Sequence, residues 1–206
     1  MLTIKQYDVT LRRITEEDIE LLRYWRNQQS VKMYMDYREY ITPEMQKNWF
    51  VSVSNKFNYY FIIEFEGKKV GMINAKDFSY EKGFGEGGIF IWDQNYINSF
   101  AAVFSTLCVL NFVFFKVKLC RLSKARILKD NDRAIQYNQL IGYKLLPGQE
   151  NVNNQLYELT LEDYTKYGSK LNKAAEALCN GSSEITLTGT VSDDNLDEIN
   201  ALLLTK

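Results

Sequence analysis

The sequence predicts an α/β (α+β) fold in which a mixed central β-sheet is flanked by helices. Ile19, Leu22 and Trp25 recur at helical spacing near the start of the chain, which is typical of an amphipathic helix. Between residues 59 and 92, short apolar runs separated by turn residues are typical of strands joined by hairpins. Beyond residue 99, helical and strand patterns alternate, and this alternation indicates crossover connections within a mixed sheet.

Capping and turn residues indicate where the predicted elements begin and end. Thr15, followed by Asp18 three residues later, has the arrangement of a capping box at a helix start. Pro43 suits the first turn of a helix, because its missing N–H would have no partner there. The predicted strands are residues 8–13, 59–66, 70–78, 86–92, 122–128 and 155–161, and the predicted helices are residues 15–27, 31–35, 42–53, 99–115 and 131–142.

The character of the sequence changes after Asp163. Residues 164–206 have the patterns of a helix, a short Thr-rich strand and a last helix that begins near Asp194. This helix-strand-helix extension is too short to form its own core. We therefore predict a main domain at residues 1–163 and a C-terminal extension at residues 164–206, packed on that domain or on a second subunit of a homodimer.

Charge and composition exclude several classes of function. The chain has 25 basic and 26 acidic residues and a net charge of −1, so no general field attracts nucleic acid or an anionic membrane surface. We expect neither as a partner. The sequence contains no histidine, which excludes Ser-His and Cys-His nucleophilic catalysis and every His-containing metal site. We expect no metal.

Cysteine usage and hydropathy predict a cytoplasmic protein. Cys108, Cys120 and Cys179 are far apart and odd in number, which favours reduced thiols over a disulfide or catalytic role. Residues 1–10 lack the hydrophobic run of a signal peptide. The most apolar stretch, residues 100–117, contains several polar residues and is better interpreted as a buried helix than as a membrane span.

Four segments together resemble the GNAT acetyltransferase superfamily over about residues 11–161. They are LRRITEEDIELLRYWRN, ITPEMQKNWF, EGGIFIWDQNY and KDNDRAIQYNQLIGYKLL, in that order. The last matches the family's Asn-x-x-Ala…Gly-Tyr ending through Asn131, Ala134, Gly142 and Tyr143. The branch that the chain resembles contains ribosomal-protein N-acetyltransferases and bacterial amino-sugar acetyltransferases of the pseudaminic-acid pathway type.

This resemblance implies a GNAT fold and acetyl transfer from acetyl-CoA to the primary amine of a small molecule, without a metal. An amino sugar, linked to a nucleotide, is the acceptor that we favour. A protein N-terminus is the second enzymatic interpretation. A non-catalytic GNAT-like binding module is the alternative class, because the cofactor loop departs from the family pattern.

The resemblance also implies which residues hold the cofactor. The family loop Gln/Arg-x-x-Gly-x-Gly/Ala wraps the pyrophosphate, and here Phe100 stands where the family has a glycine that lets the backbone approach phosphate. Asn98 and Ser99 could supply hydrogen-bond donors in its place. The predicted cofactor-binding residues are Phe90, Ile91, Trp92, Ile97, Asn98, Ser99, Phe100, Ala101, Ala102, Asn131 and Asn138.

Candidate catalytic residues follow from the same resemblance. Many family members place a tyrosine where this chain has Asn138, and Tyr137 lies one position early, about 100° away around a helix. The alternative is that Tyr137 is a core residue and Asn138 a polar surface contact. Glu86 opens the central strand and is the candidate base, although a surface carboxylate is the simpler interpretation.

The predicted substrate-binding residues are Trp25, Arg26, Asn27 and Trp49. An arginine can bind a phosphate or carboxylate with two parallel hydrogen bonds, which would suit a nucleotide-linked sugar. The alternatives are that Trp25 packs, that Arg26 pairs on the surface and that Trp49 belongs to an aromatic core.

Overall fold

The computed structural model describes residues 1–189 of the 206. In this part of the chain, nine strands form one sheet. The strands are β1 (Thr3–Gln6), β2 (Val9–Arg13), β3 (Tyr59–Phe65), β4 (Lys68–Ser79), β5 (Phe84–Ile91), β6 (Leu122–Leu128), β7 (Lys144–Leu145), β8 (Asn154–Thr160) and β9 (Thr186–Thr188).

Seven α-helical segments accompany the sheet within the described residues. They are α1 (Ile19–Asn27), α2 (Gln29–Lys32), α3 (Pro43–Val53), α4 (Ala101–Asn111), α5 (Asp132–Ile141), α6 (Leu161–Asp163) and α7 (Ser169–Leu178). A wider π-type turn continues α4 through Phe112–Lys116, and another joins α6 to α7 through Tyr164–Gly168.

The sheet order is β7-β8-β6-β5-β4-β3-β2-β1-β9. Neighbouring strands are antiparallel except β5 and β6, which are parallel because α4 connects them as a crossover helix. The predicted mixed sheet flanked by helices is confirmed.

Two hydrophobic cores lie on the two faces of the sheet. The larger contains α4, whose Phe104, Leu107 and Cys108 side chains are completely or almost completely buried. The smaller contains residues from α1, the β3 and β4 strands, and Trp92. None of the helices within residues 1–189 combines the length and the apolar character needed to cross a membrane.

Several boundaries differ from the sequence-based expectations. β1 was not predicted, because its four residues alternate buried and exposed positions over too short a run to give a clear pattern. The second helix is short and begins at Gln29 rather than near residue 31. The predicted helix at 99–115 is α-helical only from Ala101 to Asn111.

The described part of the C-terminal extension packs on the main domain. The β9 strand pairs with β1 in antiparallel register, Ile4 opposite Leu187. Tyr164 and Ala175 belong to the larger hydrophobic core. The predicted last helix and the end of the predicted strand lie outside the described residues.

A buried polar network ties the extension to β1 and α4. The Asn172 side-chain oxygen accepts hydrogen bonds from the Tyr7 hydroxyl at 2.5 Å and from Asn111 Nδ2 at 2.8 Å. Asn172 Nδ2 donates to the Tyr164 hydroxyl and to the Gly168 carbonyl. Asn172 thus joins the side chains of Tyr7, Asn111 and Tyr164, and buried polar groups are costly when they lose a partner.

Replacement of Asn172 by alanine is therefore expected to destabilise the protein. The loss leaves the Tyr7 hydroxyl without its acceptor, whereas Asn111 Nδ2 keeps its second acceptor, Gln6 Oε1. A buried polar group left unsatisfied costs about 1–3 kcal/mol. A fall in Tm of at least about 2–4 °C should follow. Thermal melting of Asn172→Ala beside Lys173→Ala, an exposed neighbour on the same helix, tests this, and equal melting of both variants and the unmodified protein would contradict it.

Candidate active site

The parallel strands β5 and β6 separate after four paired positions. Their register runs from Phe84 opposite Leu122 to Gly87 opposite Ala125 and then stops. Each strand nevertheless continues along its other neighbour, β5 along β4 and β6 along β8. Residues 88–91 of β5 therefore have no strand partner on the β6 side, and the sheet contains a wedge-shaped opening.

A cleft of about 1020 Å³ occupies this opening and is lined from both faces of the sheet. The lining residues from the α4 and α5 side include Ile97, Asn98, Ser99, Ala102, Thr106, Asn131, Arg133, Tyr137, Asn138 and Tyr143. Those from the opposite face include Arg26, Tyr34, Tyr37, Trp49, Tyr60, Asn74, Lys76, Glu86, Phe90 and Arg126. The cleft thus brings together most of the residues that the sequence predicted for the site.

The Phe100 ring lies outside the cleft lining. It is 48% exposed and stacks on Phe104, with ring centroids 5.4 Å apart. The backbone of Phe100 has φ −72° and ψ −6°, a region open to any residue. The conformation at this position does not require glycine, and the ring does not obstruct the opening.

The start of α4 presents unpaired backbone donors. Ala101 N–H donates to the Ser99 hydroxyl, which itself donates to the Tyr96 carbonyl, so that Ser99 acts as a local cap. Within the described residues, no acceptor is found for the N–H groups of Ala102 and Val103 in the first helical turn. Unpaired amides at a helix start favour a bound anion. The predicted donor role of Ser99 is less suitable, because its hydroxyl is already engaged.

Arg133 adds a cation beside these amides. Its guanidinium lines the cleft and donates to the carbonyl of Ile97. The predicted cap Asn131 accepts from Ala134 N–H at 3.1 Å and also lines the cleft. Arg133 was not predicted, because an arginine in the first turn of a helix gives no signal of its own in a single sequence.

Tyr137 and Asn138 both line the cleft but are engaged by the protein. The Tyr137 hydroxyl donates to the Ala102 carbonyl at 3.1 Å, and burial raises the pKa of this phenol well above its usual range. Asn138 Nδ2 donates to the Ala134 carbonyl one turn earlier at 2.8 Å. Tyr137 thereby connects α5 to the first turn of α4.

Tyr143 provides a second phenol in the cleft that the sequence analysis did not select for the site. Its hydroxyl is 2.7 Å from the Ser123 hydroxyl on β6, and burial raises its pKa. A Cβ placed on Gly87 would lie 3.6 Å from the Tyr143 hydroxyl. The phenol therefore lies beside the last β5–β6 pair.

Glu86 is paired with two cations on the neighbouring strands. Its carboxylate lies 2.9 Å from Lys76 Nζ on β4 and 3.4 Å from Arg126 Nε on β6. The carboxylate is therefore held in ion pairs with cations on both neighbouring strands. Glu86 lines the cleft, yet it is not the isolated carboxylate of a simple general base.

Arg26 is a largely buried cation that makes no ion pair with an acidic side chain among residues 1–189. Its guanidinium lies over the Phe90 ring, 6.0 Å from the centroid, and its Nε has no hydrogen-bond partner within the described residues. Burial lowers the pKa of this group below its ordinary value, although arginine stays charged in proteins. An unpaired cation on the wall of a cleft favours an anionic ligand.

Three predicted site residues, Trp25, Asn27 and Trp92, have structural roles instead. Trp92 is buried, donates its indole N–H to the Lys69 carbonyl and stacks on Trp25 at 5.9 Å. Asn27 both donates to and accepts from the backbone of Ile41, which fixes the segment before α3. Trp49 differs, since it lines the cleft and meets Tyr60 edge to face.

A family model for the acetyltransferase (GNAT) domain matches residues 8–144 of the 206. The chain belongs to this family. Strand β5 and the start of α4, between which the opening forms, fall within the matched GNAT segment, whereas the C-terminal extension falls outside it. Among residues 1–189, no group of three or more cysteine, aspartate and glutamate side chains is arranged to hold a metal ion.

Several known proteins are similar to this chain. The uncharacterized protein MJ1062 of Methanocaldococcus jannaschii is 26% identical over 161 residues, 74% of this chain but only 31% of that protein, so the chain spans less than a third of its length. Apo FdhC, a nucleotide-linked sugar GNAT, superimposes with a TM-score of 0.69 at 22% identity, covering 87% of this chain and 98% of that chain. Spermidine N-acetyltransferase of Vibrio cholerae, in complex with CoA and spermine, gives 0.67 at 15% identity, over 77% and 98%. The last two likenesses show a shared fold.

Proposed function

We propose that this GNAT domain is an acetyl-CoA-dependent N-acetyltransferase whose acceptor is an amino sugar linked to a nucleotide. The amine nitrogen attacks the thioester carbon, the C–N bond forms and the C–S bond breaks. The amine gives up a proton and CoA leaves as the thiol. The observation that carries the proposal is the open β5–β6 wedge, which connects unpaired amides at the start of α4 with an unpaired cation on the opposite face.

Backbone groups support cofactor binding despite the unusual loop. Residues 88–91 have an unpaired strand edge suited to the amide groups of pantetheine, and Phe90 and Ile91 line the cleft there. The first turn of α4 and Arg133 suit the pyrophosphate, because helix-start amides bind anions whatever their side chains. Trp92 and Phe100 are left out of this part of the proposal, since neither side chain lines the cleft.

The charge of the cleft supports an anionic acceptor. The lining contains four cations, Arg26, Lys76, Arg126 and Arg133, and three carboxylates, Asp36, Asp77 and Glu86. Lys76 and Arg126 pair with Glu86, whereas Arg26 makes no ion pair with the residues that the structure describes. A nucleotide diphosphate would pair with Arg26, and Tyr34, Tyr37 and Trp49 offer aromatic surface beside it. A site that binds a basic peptide would be expected to carry more acidic than basic residues, and this lining does not.

Proton transfer follows from the groups at the opening. We propose that Glu86, held by its two cations, accepts the amine proton through an intervening water rather than by direct contact. Tyr137 and Tyr143 keep their protons at neutral pH, because burial raises both pKa values. Either phenol can then donate a hydrogen bond to the leaving sulfur, with Asn138 as a hydrogen-bonding neighbour, and the thiolate takes up its proton from water.

Titration calorimetry with acetyl-CoA tests the cofactor half of the proposal. We expect a Kd in the micromolar range, weakened about 10-fold or more by Arg133→Ala, because a charge-assisted hydrogen bond to phosphate is lost. Phe100→Ala should bind like the unmodified protein, since the ring lies outside the cleft. Lys170→Ala, an exposed cation on α7 and outside the cleft lining, is the charge-matched control. Absence of binding at millimolar acetyl-CoA would favour a non-catalytic module.

Acceptor preference tests the role of Arg26. The unmodified enzyme should acetylate UDP-glucosamine with a higher kcat/KM than spermidine or a short peptide with a free N-terminus. Arg26→Leu should raise the KM for UDP-glucosamine about 10-fold or more and leave the KM for acetyl-CoA unchanged, because only the acceptor anion loses its partner. Arg23→Leu, on the same helix but outside the cleft lining, is the control. A preference for the peptide would favour the protein N-terminus as acceptor.

Glu86→Gln tests proton handling. Turnover should fall and its pH dependence should become steeper, because the amine must then lose its proton to bulk water before it attacks. Initial rates between pH 6 and 10, about the range over which amines deprotonate, measure this. A variant whose pH–rate profile matches that of the unmodified enzyme would remove Glu86 from the mechanism.

A further inference from the structure

Asn74 is a buried amide on the wall of the cleft that no step above employs. The residue is only 7% exposed and belongs to the cleft lining. Its Nδ2 has no hydrogen-bond partner among the residues that the structure describes. Leaving a buried donor unpaired costs free energy, so an unpaired amide in a cleft indicates a position where a ligand supplies the missing acceptor.

The position of Asn74 relates it to the opening of the sheet. Asn74 on β4 lies directly opposite Gly88 on β5, and Gly88 is the first residue beyond the last β5–β6 pair. A Cβ on Gly88 would lie 3.0 Å from the Asn74 side-chain oxygen and 3.5 Å from Nδ2. The amide therefore lies over a glycine at the apex of the wedge.

The neighbours of Asn74 do not satisfy its donor. Lys76 is two residues along β4 and so shares its face of the sheet. The carboxylate of Glu86, which could have accepted a hydrogen bond from the amide, is occupied by Lys76 and Arg126. The terminal torsion of an asparagine is broad, and rotation of this amide towards the cleft gives up no hydrogen bond at Nδ2.

We propose that Asn74 determines acceptor specificity by donating a hydrogen bond from Nδ2 to an oxygen atom next to the reacting amine. The inference rests on the proposed acetyl transfer and narrows its substrate class. An amine with a neighbouring hydroxyl or ether oxygen, as in a sugar, satisfies the amide, whereas an amine without oxygen leaves a buried donor unpaired. Sites built to pair with a substrate oxygen reject analogues that lack it.

Two acceptors, one with and one without oxygen beside the amine, and two variants test this assignment. UDP-glucosamine carries oxygen beside its amine, and cyclohexylamine is a ring amine without oxygen. The kcat/KM ratio of the two acceptors should fall at least about 10-fold in Asn74→Leu, through the loss of activity on UDP-glucosamine alone. Asn74→Asp, close in shape, should lose this activity increasingly as the pH rises, because a carboxylate accepts hydrogen bonds and only its protonated form donates one.

The outcomes separate this inference from the proposed function. Asn74→Leu should bind acetyl-CoA like the unmodified protein and should melt at the same or a higher temperature, since it removes an unpaired polar group. An unchanged acceptor ratio in Asn74→Leu, or unmodified activity in Asn74→Asp at every pH, would overturn the specificity role. A lower Tm for both variants would show instead that the Asn74 amide stabilises the folded protein. If the unmodified protein binds acetyl-CoA yet acetylates none of the acceptors, the proposed function itself fails.

Discussion

The separation of two parallel strands is the constraint on which the rest of this molecule depends. β5 and β6 pair over four positions only, and each is held beyond that point by an antiparallel neighbour, β4 or β8. Because those outer ladders keep their hydrogen bonds, the wedge between the two strands stays open without support from side chains within it. The cleft, the unpaired strand edge and the approach from both faces all follow from this arrangement.

A site built from backbone groups tolerates changes that would disable a site built from side chains. Phe100 replaces a glycine of the family loop, yet its backbone is in the ordinary helical region and its ring stacks on Phe104. The amides of the first α4 turn keep their orientation because the helix, and not the loop sequence, sets it. The chain thus departs from the family motif, while within the described residues the first α4 turn keeps N–H groups without an acceptor.

Much of the fold could be predicted because its signals are local. The capping box of Thr15 and Asp18 and the first-turn Pro43 mark real boundaries, since each acts on backbone groups within a few residues. Less of the candidate site could be predicted from the sequence. The ion pairs of Glu86 come from β4 and β6, and the missing partner of Asn74 is a property of three-dimensional surroundings. Trp92 and Asn27 lie in the segments that resemble the family. The Trp92 ring, however, packs in the core, and the Asn27 side chain is hydrogen-bonded to the Ile41 backbone.

The pairing of β9 with β1 joins the two ends of the described chain. β1 is synthesised first, but it gains its outer neighbour β9 only after residue 188 has been made. A chain truncated before β9 would leave β1 as an edge strand. During synthesis, the main sheet can assemble while β1 still presents an open edge, and such edges recruit other chains. Pairing with β9 is therefore the step that covers this edge of β1.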